Sequence, residues 1–331
     1  MAGLLESFPL KERFDVRRLL GAGGFGEVYE AVDLQRNDTV ALKILRKADA
    51  VALYRFKQEF RTLSLLVHPN LVTLYELIAE DEQWFLTMEL ITGGSFLDYV
   101  RPLLIRPSGG APISVPTMDS GAVTVADIAA GPRPRSDGAT RDPLPFEELR
   151  LDRLRPALRQ LAEGVSALHQ NRVLHLDIKP PNVLVDTNGR VVLVDFGLSQ
   201  QMAATSERTV RTREVLGTPE FMSPEQAAGE PLTEASDWYS VGAMLYRALT
   251  GCSVFQGRYP HVLFDKMQRE AAPPSEIVPG LPEDLNVLCR ELLRRDPAQR
   301  PTGHDVLSRL GSTAGQRTGP IGVLTPARTP T

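Results

Sequence analysis

From residue 13 to about 90 the chain alternates short apolar runs with turn-forming residues. The runs at 14–20, 27–32, 39–45, 71–75 and 84–88 have the length and the β-branched or aromatic content of strands. Between the third and the fourth, Leu53, Phe56, Phe60, Leu63 and Val67 recur at three- and four-residue steps, which predicts a helix over 51–66. Asn37 and Asp38 mark a hairpin turn, and His68, Pro69 and Asn70 close the helix. Five strands and one helix predict a small, mostly antiparallel lobe.

The pattern breaks after Val100. Residues 101–145 hold eight prolines and five glycines, with no Phe, Tyr or Trp. Such a stretch buries too little apolar area to offset its ordering entropy. About 102–145 therefore reads as a low-complexity insertion inside a domain, with a short docked helix around 123–130 as the alternative. Periodicity resumes at Leu154, Leu158, Leu161, Val165 and Leu168, the stripe of an amphipathic helix. Short strands are expected at 183–185 and 191–194. Helices follow at 237–250, 285–293 and 303–310, the last opened by a capping-box pattern at Thr302 and Asp305. Residues 1–12 are an N-terminal extension, and 311–331, rich in Gly, Thr and Pro, are a flexible tail or linker.

Composition narrows the class without changing this layout. At 331 residues, 42% hydrophobic and 24% charged, the chain is long and apolar enough for a sizeable core, which excludes wholesale disorder, collagen and a small disulfide scaffold. A net charge of -4 provides no basic field, so nucleic acid is not an expected partner. Cys252 and Cys289 lack metal-ligand spacing and read as reduced thiols. The first residues lack a basic signal-peptide start, and no run approaches the ~20 apolar residues of a membrane span. The expectation is a cytoplasmic protein with no membrane segment in this chain.

Three segments carry chemistry. Gly21, Ala22, Gly23, Gly24, Phe25 and Gly26 lie between two predicted strands, where glycines let backbone N–H groups approach phosphate oxygens. Alone, the run also matches a dinucleotide fingerprint, which needs a helix directly after it, or a plain structural hairpin. Lys43 follows 17 residues after Gly26, flanked by apolar neighbours on a strand. Buried there, it needs an anionic partner, and Glu59 on the next helix is a candidate. The alternative for Lys43 is an ordinary edge-strand charge. The densest segment runs from His175 to Asn182 and puts Asp177, Lys179 and Asn182 on one loop. A carboxylate there can orient an attacking hydroxyl and accept its proton, a lysine can neutralise a transferring phosphoryl group, and an amide oxygen can hold a metal. Asp195, 13 residues past Asn182, ends an apolar strand and offers a second hard oxygen ligand suited to Mg²⁺.

With these stand Ser223, Pro224 and Glu225, the run from Asp237 to Gly242, and the pair Arg300 and Pro301. In this order they resemble the eukaryotic-like (Hanks-type) serine/threonine protein kinases, over nearly everything but 102–145 and the tail. The wording of 217–226 looks most like bacterial members. The resemblance implies an α+β, two-lobed protein kinase fold. A domain over 13–310 would divide into a β-rich N-lobe at about 13–88, a hinge at about 89–93 and a larger, mainly helical C-lobe at about 94–310. It implies ATP with Mg²⁺, or Mn²⁺, in the cleft, and transfer to Ser or Thr hydroxyls of protein substrates by a monomer or, in autophosphorylation, a transient dimer.

By the same resemblance Lys43 and Glu59 form the ion pair that positions ATP phosphates. Asp177 is the catalytic base, Lys179 steadies the γ-phosphate, and Asn182 with Asp195 holds the metal. Leu20 and the glycine loop cover the nucleotide, Val28, Ala41 and Leu184 sandwich adenine, Met88 is the gatekeeper, and Glu89 and Ile91 present hinge backbone groups. Glu225 with Arg300 would be a structural ion pair, and Asp237 would anchor the catalytic loop. Lys179 and Thr218 resemble the serine/threonine-specific pattern. The segment ending at Glu225 would give a protein substrate its docking shelf. One departure stands out: Leu176 occupies the place of the family's arginine before the catalytic aspartate. That arginine receives an activation-segment phosphate. Its loss leads us to expect activity without phosphorylation of Thr205, Ser206, Thr209 or Thr212, the candidate phosphosites. A pseudokinase scaffold and a small-molecule phosphotransferase are the competing classes. The four polar residues Lys43, Asp177, Asn182 and Asp195 weigh against the first, and the segment ending at Glu225 against the second.

Overall fold

The computed structural model describes residues 10–23, 26–45, 56–57, 60–61, 63–80, 83–102, 149–195, 219–257 and 260–311. Five antiparallel strands form the first sheet: β1 (Phe14–Gly23), β2 (Gly26–Asp33), β3 (Asp38–Leu45), β4 (Leu74–Glu80) and β5 (Gln83–Glu89), in the order β1-β2-β3-β5-β4. Alternation along the strands buries both faces. Phe14, Ala31, Val40, Leu42 and Phe85 pack on one side, while Ala41, Leu45, Leu86 and Met88 join the main core on the other. Of the predicted helix at 51–66, the described residues Phe56, Lys57, Phe60, Arg61 and Leu63 are helical, while Ser64 and Leu65 form a turn and Leu66 lies beyond it, so the helix ends earlier than its apolar stripe predicts.

The strand expected at 71–75 is displaced. Leu71 and Val72 are buried between the lobes, where Leu71 bridges Leu193 and the Val72 N–H donates to the Leu193 carbonyl at 3.0 Å. Two adjacent apolar residues thus stitch the lobes together, and the ladder begins three residues later, at Leu74. Beyond β5 the chain enters a second sheet of β6 (Gly93–Ser95), β7 (Val183–Asp186) and β8 (Val191–Leu193), whose first strand the hydrophobic pattern does not reveal.

The helices are α1 (Phe96–Val100), α2 (Leu151–Gln170), α3 (Pro224–Ala228), α4 (Glu234–Thr250), α5 (His261–Gln268), α6 (Pro274–Ile277), α7 (Glu283–Leu292) and α8 (Gly303–Arg309). The α2 stripe is the predicted one, with Leu154, Leu158, Leu161, Val165 and Leu168 all buried. Helix α4 is buried along most of its length and forms the axis of the C-lobe. Its Gly242 admits α7, since an added Cβ would lie 2.7 Å from Leu292 Cβ. At its far end the buried Arg101 donates to the carbonyls of Ala248 and Leu249, satisfying acceptors that a helix terminus leaves open. The low-complexity stretch, apart from Pro102 and its neighbour Arg101, lies outside the described residues.

Candidate active site

The loop between α2 and β7 hangs from one buried carboxylate. Asp237, in the first turn of α4, has no exposed surface, and its Oδ2 accepts from the His175 N–H at 2.8 Å while Oδ1 accepts from the Leu176 N–H at 2.7 Å. His169, near the end of α2, adds a third contact through Nε2 at 2.9 Å. Leu176 is held at φ 62°, a left-handed conformation unusual for a bulky residue. Gln226 on α3 fixes its other side by donating to the Leu176 carbonyl at 2.9 Å.

That turn delivers Asp177. Its Oδ2 accepts from Lys179 Nζ at 2.9 Å and from Asn182 Nδ2 at 2.9 Å. Asn182, which is buried, also donates to the Asp177 carbonyl at 2.9 Å, so its amide nitrogen is committed to Asp177. A short 3-10 turn, Pro180–Asn182, sets the spacing. The Val194 N–H donates to the Asn182 carbonyl at 3.0 Å, which brings the end of β8 against the same turn.

The next residue, Asp195, sits at φ 59° and reaches the N-lobe. Its Oδ1 lies 2.6 Å from Nζ of Lys43, which is 5% exposed on β3 between Val28 of β2 and Leu86 of β5. The burial that makes an unpaired lysine costly is met here by Asp195. Glu59, expected as that partner, lies outside the described residues, as do Gly24, Phe25, Thr205, Ser206, Thr209, Thr212 and Thr218.

The remaining predicted positions that are described lie on β1, β2, β3, β5 and β7 and on the link that follows β5. Gly23 pairs with Gly26 where β1 turns toward β2, and Gly21 pairs with Val28. Gly26 is at φ 142°, and a Cβ there would fall 1.9 Å from the Ile44 carbonyl oxygen, so the backbone approach excludes any side chain. Strand, not helix, follows the glycines, which excludes the dinucleotide alternative. Leu20 and Ala22 are exposed on β1. Ala41 faces Met88 across β3 and β5, both buried, while Val28, Ile91 and Leu184 are half-buried.

Glu89 does more than the sequence suggests. Its carboxylate forms a two-pronged pair with Arg190 at 2.6 and 3.0 Å, and Arg190 Nε donates to the Pro69 carbonyl at 2.7 Å. Burial alone would raise the Glu89 carboxyl, but the guanidinium holds it below its usual range. The Glu89 N–H is taken by the Thr73 carbonyl at 2.9 Å.

A carboxylate fed by a lysine and an amide, together with a glycine-bounded strand turn and a strand lysine paired to a second carboxylate, is an arrangement for phosphoryl transfer. The family model for protein tyrosine and serine/threonine kinases matches residues 14–310. The chain belongs to that family. Among its kinase relatives are the serine/threonine-protein kinase PrkC of Bacillus subtilis, 29% identical over 87% of this chain and 38% of the relative. The serine/threonine-protein kinase pkn2 of Myxococcus xanthus is 31% identical over 93% of this chain and 33% of its own length. PknB of Mycobacterium tuberculosis is 30% identical over 88% of this chain and 41% of its own. The chain thus spans between a third and about two fifths of these bacterial relatives.

The kinase fold also contains structural pairs read correctly from sequence. Arg300 meets Glu225 through both guanidinium nitrogens at 2.7 and 2.9 Å, buried beneath α3. The sequence pattern assigns no role to His169, Gln226 or Arg190. Only Gln226 carried a usable signal, a Ser-x-x-Gln capping box that here also reaches the loop. No described helix is long and apolar enough to cross a membrane.

Proposed function

We propose that this chain is an ATP-dependent serine/threonine protein kinase that transfers the γ-phosphate to hydroxyls of protein substrates, itself included. The observation that carries the reading is the Asp177 carboxylate held by Lys179 and Asn182 on a loop suspended from buried Asp237. Asp177 orients the acceptor hydroxyl; as the bond from its oxygen to the γ-phosphorus forms and the bond to ADP breaks, the proton passes to the Asp177 carboxylate. Lys179, within reach of the same carboxylate, faces the charge on the transferring group. Lys43 exchanges part of its hold on Asp195 for phosphate oxygens, and the glycine hairpin brings N–H groups over them. The Glu89 carbonyl and the Ile91 backbone take the adenine edge, between Val28, Ala41 and Leu184.

The donor set fits Mg²⁺, with Mn²⁺ as a substitute. With its amide nitrogen spent on Asp177, Asn182 offers its Oδ1, and Asp195 offers a carboxylate, both hard oxygen ligands. When bound, the ion supplies positive charge that neutralises the nucleotide phosphates. The choice of a protein substrate rests on the segment that α3 closes, and serine/threonine specificity rests on Lys179 and Thr218, with the support of the three relatives' names.

The test is incubation with Mg²⁺ and labelled ATP, wild type beside Asp177→Asn, with sites mapped by mass spectrometry. Wild type should incorporate phosphate on Ser or Thr, and the variant should lose at least about 10²-fold in rate, the scale of general-base catalysis. ATP binding without transfer by the wild type would replace the kinase with a nucleotide-binding scaffold.

A further inference from the structure

Lys266, on α5, is 1% exposed, and among the described residues its ammonium has no carboxylate at ion-pair distance. It donates instead to three main-chain carbonyls, those of Pro219 at 2.6 Å, Glu220 at 3.1 Å and Met222. The fourth carbonyl of this turn, that of Phe221, accepts from Ser240 Oγ on α4 at 2.9 Å. An irregular turn has no ladder to satisfy its carbonyls, so one ammonium here does for three of them what a strand partner would do. The Tyr239 ring, 5.4 Å from Nζ, adds a face that favours a cation.

The turn is not remote from the chemistry. It runs into Ser223, the cap of α3, whose Gln226 holds the Leu176 carbonyl beside Asp177. A residue that shapes 219–222 therefore shapes the wall adjoining the reacting carboxylate. A lysine is also a costly way to build a core, since an apolar side chain of similar volume fills such a site without desolvating a charge. The cost is explained if the turn's shape is what matters.

We propose that Lys266 is a positioning residue for the protein acceptor: its ammonium draws the 219–222 turn into the shape that seats the polypeptide bearing the Ser or Thr hydroxyl beside Asp177. This rests on the kinase reading above. The surroundings make the clamp sensitive to protonation. Burial pulls the Lys266 ammonium down to about 7, against Glu220 and Glu225, which raise it. Each of those carboxylates is matched by its own arginine, Arg247 at 2.6 Å and Arg300 at 2.7 Å, and Arg300 also lies over the Tyr239 ring at 4.9 Å. A neutral amine has two N–H groups for three carbonyls, so the turn loosens as pH rises through neutrality.

The experiment compares wild type with Lys266→Met, a side chain of similar length without donors, using ATP and myelin basic protein as acceptor. The variant should raise KM for the acceptor about tenfold, the equivalent of ~1.4 kcal/mol, with KM for ATP unchanged. Unchanged KM for the acceptor overturns the proposal, and so does an equal loss toward ATP, which would make Lys266 a general support of the lobe. Should the variant not fold, the wild type alone decides. From about pH 6 to about pH 8.5 its KM for the acceptor should climb while KM for ATP stays level, and a level acceptor KM overturns the role. Absence of transfer by the wild type to any protein fails the kinase reading itself, and the positioning role with it.

Discussion

Leu176 and Asp195 both occupy the left-handed region, at φ 62° and 59°, one before the proposed base and the other facing Lys43. For Asp195 the conformation is tolerable, because a short polar side chain visits that region readily. For Leu176 it is a strain of about 1–2 kcal/mol that neighbouring contacts must offset. Asp237 and Gln226 supply those contacts through the Leu176 N–H and carbonyl. The place of the family's phosphate-receiving arginine is thus filled by a residue whose backbone is already fixed from both sides. Asp237→Asn puts this to the test. Two carboxylate oxygens now accept from three donors, whereas an amide has one oxygen and turns an NH₂ group toward a buried N–H. We expect a stability loss of about 1–3 kcal/mol, the cost of an unsatisfied buried donor. Turnover should fall well beyond that, with nucleotide affinity retained. Chemical denaturation and nucleotide titration on one preparation separate the two effects, and a turnover equal to wild type would show that the loop keeps its shape without the carboxylate.

At the scale of elements, legibility follows distance along the chain. The loop from His175 to Asn182 is a run of neighbours, so its chemistry is readable before any fold is known, and the hydrophobic stripe of α2 returns as a buried face. What the sequence hides depends on partners far apart. Glu89 and Arg190 are 101 positions apart and meet only because β6, β7 and β8 form a sheet that begins with the inconspicuous Gly93–Ser95. Leu71 and Val72 carry a strand's composition yet serve the contact between lobes, because tertiary burial outweighs local preference. Arg190 is where that hidden geometry touches function. It ties the end of β5 to the β7–β8 turn and to the Pro69 carbonyl, so it fixes the strand end from which adenine would be bound. Arg190→Ala should raise KM for ATP about threefold to tenfold, each tenfold corresponding to ~1.4 kcal/mol, with a smaller change in kcat. Steady-state kinetics at saturating acceptor reads this directly, and an unchanged KM for ATP would make the pair a surface ornament of the hinge.

Across the whole molecule, the C-lobe is organised around pairings that bring its helices to α4. Arg300, following α7, donates to Glu225 on α3, to the Ala235 carbonyl on α4 and to the carbonyls of Arg294 and Arg295, and Ser236 also donates to Glu225 at 2.8 Å. Both charges are buried, so each depends on the other remaining ionised. Burial by itself would raise the Glu225 carboxyl, but Arg300 outweighs it and holds the group below its ordinary value of 4.5. The sign follows from where protons bind. As pH falls, the unfolded chain takes up this proton first, so the folded state loses the advantage it holds at neutral pH. Stability from this pair is complete above about 4.5 and disappears as pH drops through the lowered folded value. Glu225→Gln should therefore be less stable than wild type at pH 7 by about 3–5 kcal/mol, the cost of breaking a buried pair by removing one partner. The gap should narrow as both proteins are taken toward pH 3, because wild type loses there what the variant never had. Denaturation midpoints across that range decide it: a gap that stays constant with pH would assign the loss to packing beneath α3 and remove the ion pair from the account of how this lobe is held.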